Sequence, residues 1–315
     1  MEQKITPPAL RIKVTGVCNR TCSFCHEEGD MRTIGSVEPD AAFFESVQAL
    51  VQRFKLDRVM LTGGEPTIHP KLKEIISGLS AKEISVTSNG IRPISKDEWQ
   101  ALRVGGLKQV IISIHDASPA QFLFLETNKR GLAWATRSIE TQKANVVAAS
   151  EAGLSVRVNT VVYHSHEQAL EVLRTLEVLQ KSHRFEIRLL NDLSNLAQSQ
   201  QNIERIRAVL EAERTASYRK AGSSNVTVRF RTPSGFEFST KTSFRYFLES
   251  ICGSCALRTT CYEGFYGLRL ERHLDDYWVR LCIYKQSSEV LMTWRQFLKS
   301  ESACLFAQML LYEQQ

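Results

Sequence analysis

Short apolar runs rich in β-branched residues recur from the N-terminus to Leu190, and each is followed by a stretch whose apolar positions have helical spacing. The runs are Leu10–Thr15, Arg58–Thr62, Glu83–Thr87, Gln109–His115, Leu154–Val162 and Phe185–Leu190. Between them, Ala41–Phe54, Pro70–Ser80, Ser95–Val104, Thr136–Ala152 and His166–Gln180 carry the pattern of helices buried along one side. Alternating strands and helices predict a parallel sheet with right-handed crossovers. Six such units are too few to close an eight-stranded barrel. The expected fold class is α/β, an incomplete (β/α)6 TIM barrel.

The pattern changes after Leu190. Asn191–Gln201 is polar and reads as loop, and Asn202–Arg219 reads as a helix. Val226–Arg231 and Gly235–Ser239 flank Thr-Pro-Ser and predict a hairpin. A second hairpin is predicted from Tyr266–Arg272 to Trp278–Tyr284, turning at Leu274–Asp276. The last helix, near Trp294–Leu311, carries Trp294, Phe297, Leu298, Cys304, Leu305 and Met309 as a core-packing stripe, so Cys304 reads as an inert buried thiol.

The chain has 315 residues, enough for one large domain plus a smaller one. Its formal charge of +6 is spread along the sequence without an arm or stripe of Lys and Arg, which argues against a nucleic-acid partner. A mild positive excess also suits a pocket for a phosphorylated ligand. The opening Met-Glu-Gln-Lys-Ile-Thr-Pro-Pro has no apolar core of a secretory signal. No apolar stretch approaches the ~18 residues that span a bilayer. The expectation is a cytoplasmic protein without a membrane partner. In that compartment the eight cysteines read as ligands rather than disulfides. Three lie within residues 18–25, four within residues 252–282, and Cys304 stands alone.

Cys18-Asn-Arg-Thr-Cys22-Ser-Phe-Cys25 directly follows the first predicted strand, where the C-terminal mouth of a parallel barrel places its chemistry. Thiolates bind iron–sulfur clusters and zinc. Three cysteines so close together can wrap one corner of a cube and leave one iron open to a small molecule. A structural zinc site needs a fourth ligand, which only His26 could supply by bending back, so the spacing favours a cluster. Cys252-Gly-Ser-Cys255, then Cys261 and Cys282, can close a tetrahedral site. From spacing alone, a zinc staple and a second cluster stand nearly equal there.

The C-x3-C-x2-C spacing with Phe24 before the last cysteine resembles the signature of the radical SAM superfamily. Thr62-Gly63-Gly64-Glu65-Pro66, at the end of the next strand, resembles that family's GGEP motif. The resemblance implies a SAM-binding [4Fe–4S] cluster on Cys18, Cys22 and Cys25, with S-adenosyl-L-methionine lying against Phe24, Gly63, Gly64, Glu65 and Pro66. The glycine backbone and the glutamate would receive the methionine amino group. Thr87-Ser88-Asn89, Ser113 and Asn159 resemble the strand-end polar residues that contact SAM in the family. C-x2-C-x5-C at residues 252–261 resembles the SPASM or twitch auxiliary domains. That implies a second [4Fe–4S] cluster on Cys252, Cys255, Cys261 and Cys282, with three or four of them binding. The corresponding division is a core over residues 1–220 and a small C-terminal auxiliary iron–sulfur subdomain over residues 221–315.

Within the superfamily the likeness is strongest to the MoaA branch, the GTP-cyclising enzymes of molybdopterin synthesis. It rests on Leu10–Thr15, Asn159–Val162, Ile187–Leu190 and Tyr266-Gly267-Leu268-Arg269-Leu270. It implies that Arg11 and Arg269 anchor the substrate's anionic group. The departures are the extra cysteine, Gly267 where that branch has an arginine, and the lack of a Gly-Gly tail, so the chain reads as a relative of the branch. Cys25-His26-Glu27-Glu28-Gly29 suits the subgroup that builds carbon–carbon bonds on nucleotide sugars of nucleoside antibiotics. The implied function is cyclisation of a small phosphorylated substrate in cofactor or natural-product biosynthesis, with a flavodoxin- or ferredoxin-type reductant. The alternatives are a peptide-modifying radical SAM maturase, although only nine residues precede the first strand, and a non-catalytic zinc-binding module.

Overall fold

The structure is a computed structural model and describes residues 4–25, 35–163, 165–243, 246–265, 267–285 and 290–312. Strand β1 (Lys4–Thr6) is followed by β2 (Ala9–Thr15), α1 (Ala41–Phe54), β3 (Arg58–Gly63) and α2 (Leu72–Gly78). Next come β4 (Glu83–Ser88), α3 (Lys96–Val104), β5 (Leu107–Ser113), α4 (Pro119–Phe124) and α5 (Leu132–Glu151). Strand β6 (Ser155–Val162), α6 (His166–Gln180), β7 (Glu186–Asn191) and α7 (Leu196–Val209) complete the repeating part. The remainder comprises β8 (Glu213–Lys220), β9 (Asn225–Arg231), β10 (Glu237–Ser243), α8 (Glu249–Cys252), β11 (Arg269–His273), β12 (Asp276–Arg280), β13 (Leu291–Thr293), α9 (Trp294–Leu298) and α10 (Glu301–Tyr312).

Strands β2 to β7 pair in chain order and all in parallel, which gives the six βα units of the expected partial barrel. The later strands extend the same sheet at both edges. Strand β10 pairs in parallel with β7 and leads through β9 and β8 to β1, while β11 pairs in parallel with β2 and leads to β12 and β13. Strand β1 ends one side of this thirteen-stranded order, yet only Pro7 and Pro8 separate it from β2 near the other side. Two residues span at most ~7 Å. The sheet therefore has to curl back on itself, and the hairpin strands fill the gap left by the missing βα units.

Alternate strand residues divide between two environments. Leu10, Ile12, Val59, Leu61, Ile84, Val86, Val110, Ile112, Val156, Val158, Ile187 and Leu189 are buried in one core with Phe43, Val47, Leu50, Leu173 and Leu176 of the surrounding helices. The other face, turned into the curl, carries Arg11, Lys13, Thr15, Thr62, Ser85, Thr87, Ser113, Arg157, Asn159 and Arg188. An inner face this polar is unlike the packed apolar layers of a filled barrel.

The predicted helix over Asn202–Arg219 is corrected to α7 followed by β8. The helix stops because Glu211 adopts a left-handed backbone (φ 48°) just past the Leu210 cap, and the rest of the stretch pairs with β9. Part of the predicted loop over Asn191–Gln201 is likewise the first turn of α7. The single last helix is two, because Ser300 closes α9 through its N–H to Phe297 O and caps α10 by accepting from Ala303 N at 3.2 Å. The core face of α10 is Ala303, Phe306, Met309 and Leu310, and Cys304 is exposed rather than buried in the stripe. Helix α4 and strand β1 were not anticipated, although Ser118-Pro119 is a standard helix opening and Ser118 accepts from Gln121 N. Among the described residues no helix is long and apolar enough to cross a membrane.

Candidate functional site

The ends of β2 and β3 are bolted together beneath the first cysteines. Gly64 N donates to Thr15 O and Glu65 N to Val17 O, both at 2.8 Å. A Cβ on Gly63 would stand 2.3 Å from Thr15 O and one on Gly64 2.2 Å from Val17 O, so neither position tolerates a side chain. The Gly-Gly pair is thus required by the close approach of the segment that leads into Cys18. Both glycines also face the cavity described below.

Glu65 is enclosed by its neighbours. Its side chain has no accessible surface, and its carboxylate accepts from Thr67 N at 3.0 Å, Thr67 Oγ1 at 2.6 Å and Asn89 N at 2.5 Å. Burial pushes its pKa up, against these hydrogen bonds. Pro66 is buried as the first residue of the short helix that Glu65 caps. Neither residue lines the cavity.

The cysteine loop is stitched to the segment after α4. The Arg20 guanidinium and the Glu126 carboxylate form a buried ion pair at 2.7 Å, each side chain 1% exposed. Glu126 also accepts from Thr21 N, Cys22 and Glu126 form an isolated bridge, and Ser23 N donates to Leu125 O. The Arg20 guanidinium lies 4.0 Å over the Phe122 ring. Cys18 Sγ accepts from Arg20 N at 3.4 Å and from Asn89 Nδ2 at 3.7 Å. Burial pushes the Cys22 thiol up to about 12, opposed by Arg20 and reinforced by the nearby Glu126, Cys18 and Cys25. The three sulfurs therefore lie within electrostatic range of one another. Phe24 packs edge-on to His115 at 5.0 Å and stacks on Tyr163 at 5.6 Å. His115 accepts from Val161 N through Nδ1, and burial with Arg20 nearby holds its pKa at about 3, so it is neutral.

Helix α5 holds the next strand ends. Gln142 Nε2 donates to Asn89 O and to Ser113 O, at 2.7 and 2.8 Å, which ties the end of β4 to that of β5. These contacts present Thr87, Ser88, Asn89 and Ser113 to a cavity of about 480 Å³. Arg20, Phe24, Cys25, Gly63 and Gly64 form one wall, and Tyr262, Glu263, Arg269 and Ile283 form another. Asn191, Asp192, Gln200, Lys241 and Thr242 add a polar side. Asn159 is not among the lining residues although it is level with Ser113 and Arg188 on the neighbouring strands, and its Oδ1 is a buried acceptor without a hydrogen-bond partner among the described residues.

Cations collect beneath this cavity. Arg11 and Arg269 sit side by side on β2 and β11, although only Arg269 lines the cavity. Arg157 is buried and donates to the neutral Gln109 Oε1 at 3.0 Å, and Arg188 donates to Ser239 Oγ at 3.5 Å. Burial, with Arg188 as neighbour, lowers the Arg157 pKa to about 9, and burial lowers that of Arg188 to about 10. Lys220, half-buried on β8, is pushed well down by desolvation and by Arg11, Arg58, Arg157 and Lys241.

The second cysteine set adjoins the opposite wall. Burial raises the Cys252 thiol, and the nearby Cys282, Cys261 and Cys255 raise it further, so Cys282 joins the other three across the chain. Cys282 Sγ accepts from Tyr284 N and Lys285 N at 3.4 Å each. Such N–H donation suits a sulfur carrying negative charge. Among the described residues no three His, Cys, Asp or Glu side chains converge as ligands of a single ion. A cube-shaped cluster instead spaces its thiolates at separate corners. His26, Glu27, Glu28, Gly29 and Tyr266 lie outside the described residues.

Residues 12–179 match the Radical SAM superfamily, more than half of the chain. This chain belongs to the radical SAM superfamily. Membership implies a SAM-binding four-iron cluster, and the donor set at the mouth of β2 fits it: three clustered thiols, one backbone and one side-chain N–H donor to Cys18, and an adjoining cavity lined by polar strand ends. Among relatives, the probable GTP 3',8-cyclase of Methanothermobacter marburgensis is 32% identical over 158 residues, 49% of this chain and 48% of that protein. The GTP 3',8-cyclase of Aquifex aeolicus is 29% identical over 188 residues, 56% of this chain and 55% of that one. These likenesses bear out the MoaA-like branch. The chain spans about half the length of the curated relatives it matches. Among solved structures, SuiB of Streptococcus suis bound to S-adenosylmethionine aligns with a TM-score of 0.46 and 16% identity, covering 68% of this chain and 47% of that one.

The sequence reading missed Arg20, Glu126, His115, Lys241, Tyr262 and Glu263. Arg20 was visible inside the cysteine loop. The others carry no spacing signal, because the fold alone brings His115, Lys241, Tyr262 and Glu263 to the cavity and Glu126 to Arg20.

Proposed function

We propose that this radical SAM protein cleaves S-adenosylmethionine reductively and abstracts hydrogen from a small anionic substrate, a nucleotide or phosphorylated sugar, to form a carbon–carbon bond. The observation that carries the reading is one cavity lined both by Cys25, Gly63, Gly64 and Asn89 and by Tyr262 and Ile283, the residues next to Cys261 and Cys282. Cys18, Cys22 and Cys25 hold the first cluster and leave one iron for SAM. Bound there, the cluster and SAM together supply a 5′-deoxyadenosyl radical. Phe24, the Gly63–Gly64 backbone, Thr87, Ser88, Asn89, Ser113 and Asn159 shape and bind the SAM side. Glu65 and Pro66 act from behind, by fixing that backbone. Positioning the substrate carbon is the main task of the remaining residues.

Arg11 and Arg269, with Lys241 and the deeper Arg157 and Arg188, anchor the anion. Among the described residues the hydrogen bonds of these two largely buried guanidiniums go to neutral groups, with Glu186 the nearby carboxylate, and an anionic ligand would offset the remaining positive charge. The relatives' names favour a nucleotide. Residues 1–220 serve as the core and residues 221–315 as the auxiliary region. There Cys252, Cys255, Cys261 and Cys282 hold a second four-iron cluster, supported by their mutual proximity. A flavodoxin or ferredoxin supplies electrons, in the cytoplasm.

Replacing Cys18, Cys22 and Cys25 together by Ala is expected to abolish formation of 5′-deoxyadenosine from SAM with dithionite, while part of the iron stays on the second set. Persistent 5′-deoxyadenosine release from the triple variant would overturn the assignment.

A further inference from the structure

Glu263 lies between Cys261 and Phe265, a residue anchored to neighbouring segments. Phe265 N donates to Tyr246 O at 2.6 Å, Ser224 N donates to Phe265 O at 3.0 Å, and the Phe265 ring is buried in the main core. Gly264 between them is left-handed (φ +57°), and a Cβ there would meet Tyr246 O at 2.4 Å. The backbone directly after Glu263 is therefore anchored. That side chain lines the cavity and is only 4% exposed, and its Oε2 is buried with no hydrogen-bond partner among the described residues. Buried carboxylate oxygens are almost always satisfied, because leaving one bare forfeits its hydration without return. A bare one on the wall of a ligand cavity points to a partner that arrives with the ligand.

We infer that Glu263 is a specificity-determining residue that accepts a hydrogen bond from an N–H or O–H donor of the substrate. The cavity lining offers two complementary chemistries. Arg269 and Lys241 line it, with Arg157 and Arg188 beneath, whereas Glu263 offers an acceptor beside the second cysteine set. A simple phosphorylated sugar has hydroxyl donors, and a nucleotide has both ribose hydroxyls and the N–H edge of its base. This inference rests on the proposed nucleotide reading and narrows it.

The test uses anaerobically prepared, cluster-loaded protein, wild type and Glu263→Gln, with GTP, its 2′-deoxy analogue and purine riboside triphosphate as probes. Dissociation constants by calorimetry and thermal midpoints without ligand are the two readouts. Wild type is expected to bind GTP about tenfold or more tightly than the analogue lacking the recognised donor. Loss with the purine riboside analogue assigns the base edge, and loss with the deoxy analogue assigns the ribose. Glu263→Gln should weaken GTP binding to a similar degree and flatten that preference. Its ligand-free midpoint should be equal to or above that of wild type, since no hydrogen bond of that oxygen within the protein is lost. A lower midpoint would show that the carboxylate already has a partner in the protein and overturn the inference. So would equal binding of all three probes by wild type, or a matching loss of SAM affinity, which would place Glu263 in the SAM site. Wild type that binds none of the probes would instead refute the nucleotide reading and remove this inference with it, whatever the midpoints show.

Discussion

Glu65 follows β3, with its carboxylate enclosed by Thr67 and Asn89. Glu65→Gln keeps the shape but presents an amide N–H₂ to donors that need an acceptor. The expected outcome is a loss of about 1–3 kcal/mol of stability, measured by denaturant unfolding without SAM. Weaker SAM binding with unchanged stability would instead show direct contact. Cys18, Gly63 and Asn89 were legible in the sequence because their chemistry or backbone freedom cannot be replaced locally. Arg20 was not, because its significance depends on Glu126, which lies 106 positions away.

The hairpin of β11 and β12 is fastened by one buried carboxylate. Glu271 accepts from His273 Nε2 at 2.6 Å and from Arg280 Nε at 2.7 Å, with its side chain 3% exposed. Burial raises its pKa, but those partners outweigh it and hold the group at about 2, below the ordinary 4.5. A carboxylate lowered on folding adds stability above its unfolded value, and that stability is lost as pH falls through the folded value. The pair of values corresponds to about 3 kcal/mol. Denaturant unfolding of cluster-free protein should show wild type losing that margin over Glu271→Gln between about pH 5 and pH 2. A difference that does not change with pH would contradict this role. At this scale, α1 and α6 were legible to the residue, because their apolar stripes and polar flanks agree. Strand β8 was not, because its polar side chains mimic the end of a surface helix. The inner faces of β2, β6 and β7 held an unread signal: a buried parallel strand that alternates with Arg and Lys announces a ligand.

Across the whole molecule, both edges of the six-stranded core receive strands from beyond residue 220, and one cavity is lined by Cys25 and by the neighbours of Cys261 and Cys282. The alternating βα pattern predicted the core, but no local pattern could reveal that Lys4 would pair with Tyr218, because such pairing is decided only by the curled sheet. Fully loaded protein is expected to carry about eight irons as two four-iron clusters. Replacing Cys252, Cys255 and Cys261 should remove roughly half of them and abolish substrate turnover. Iron, sulfide and zinc counts check this, and stoichiometric zinc on the second set would overturn it.

The same strand order governs how the chain behaves in company. Bare sheet edges recruit other chains through their unpaired amides, and long flat ones seed aggregates. Here the ladder terminates in β1 at one side and β13 at the other, each three residues long. Short terminal strands make poor templates for a neighbour's backbone. The hairpins that bring the second cysteine set to the cavity therefore also shield the core against self-association while the protein waits for its clusters.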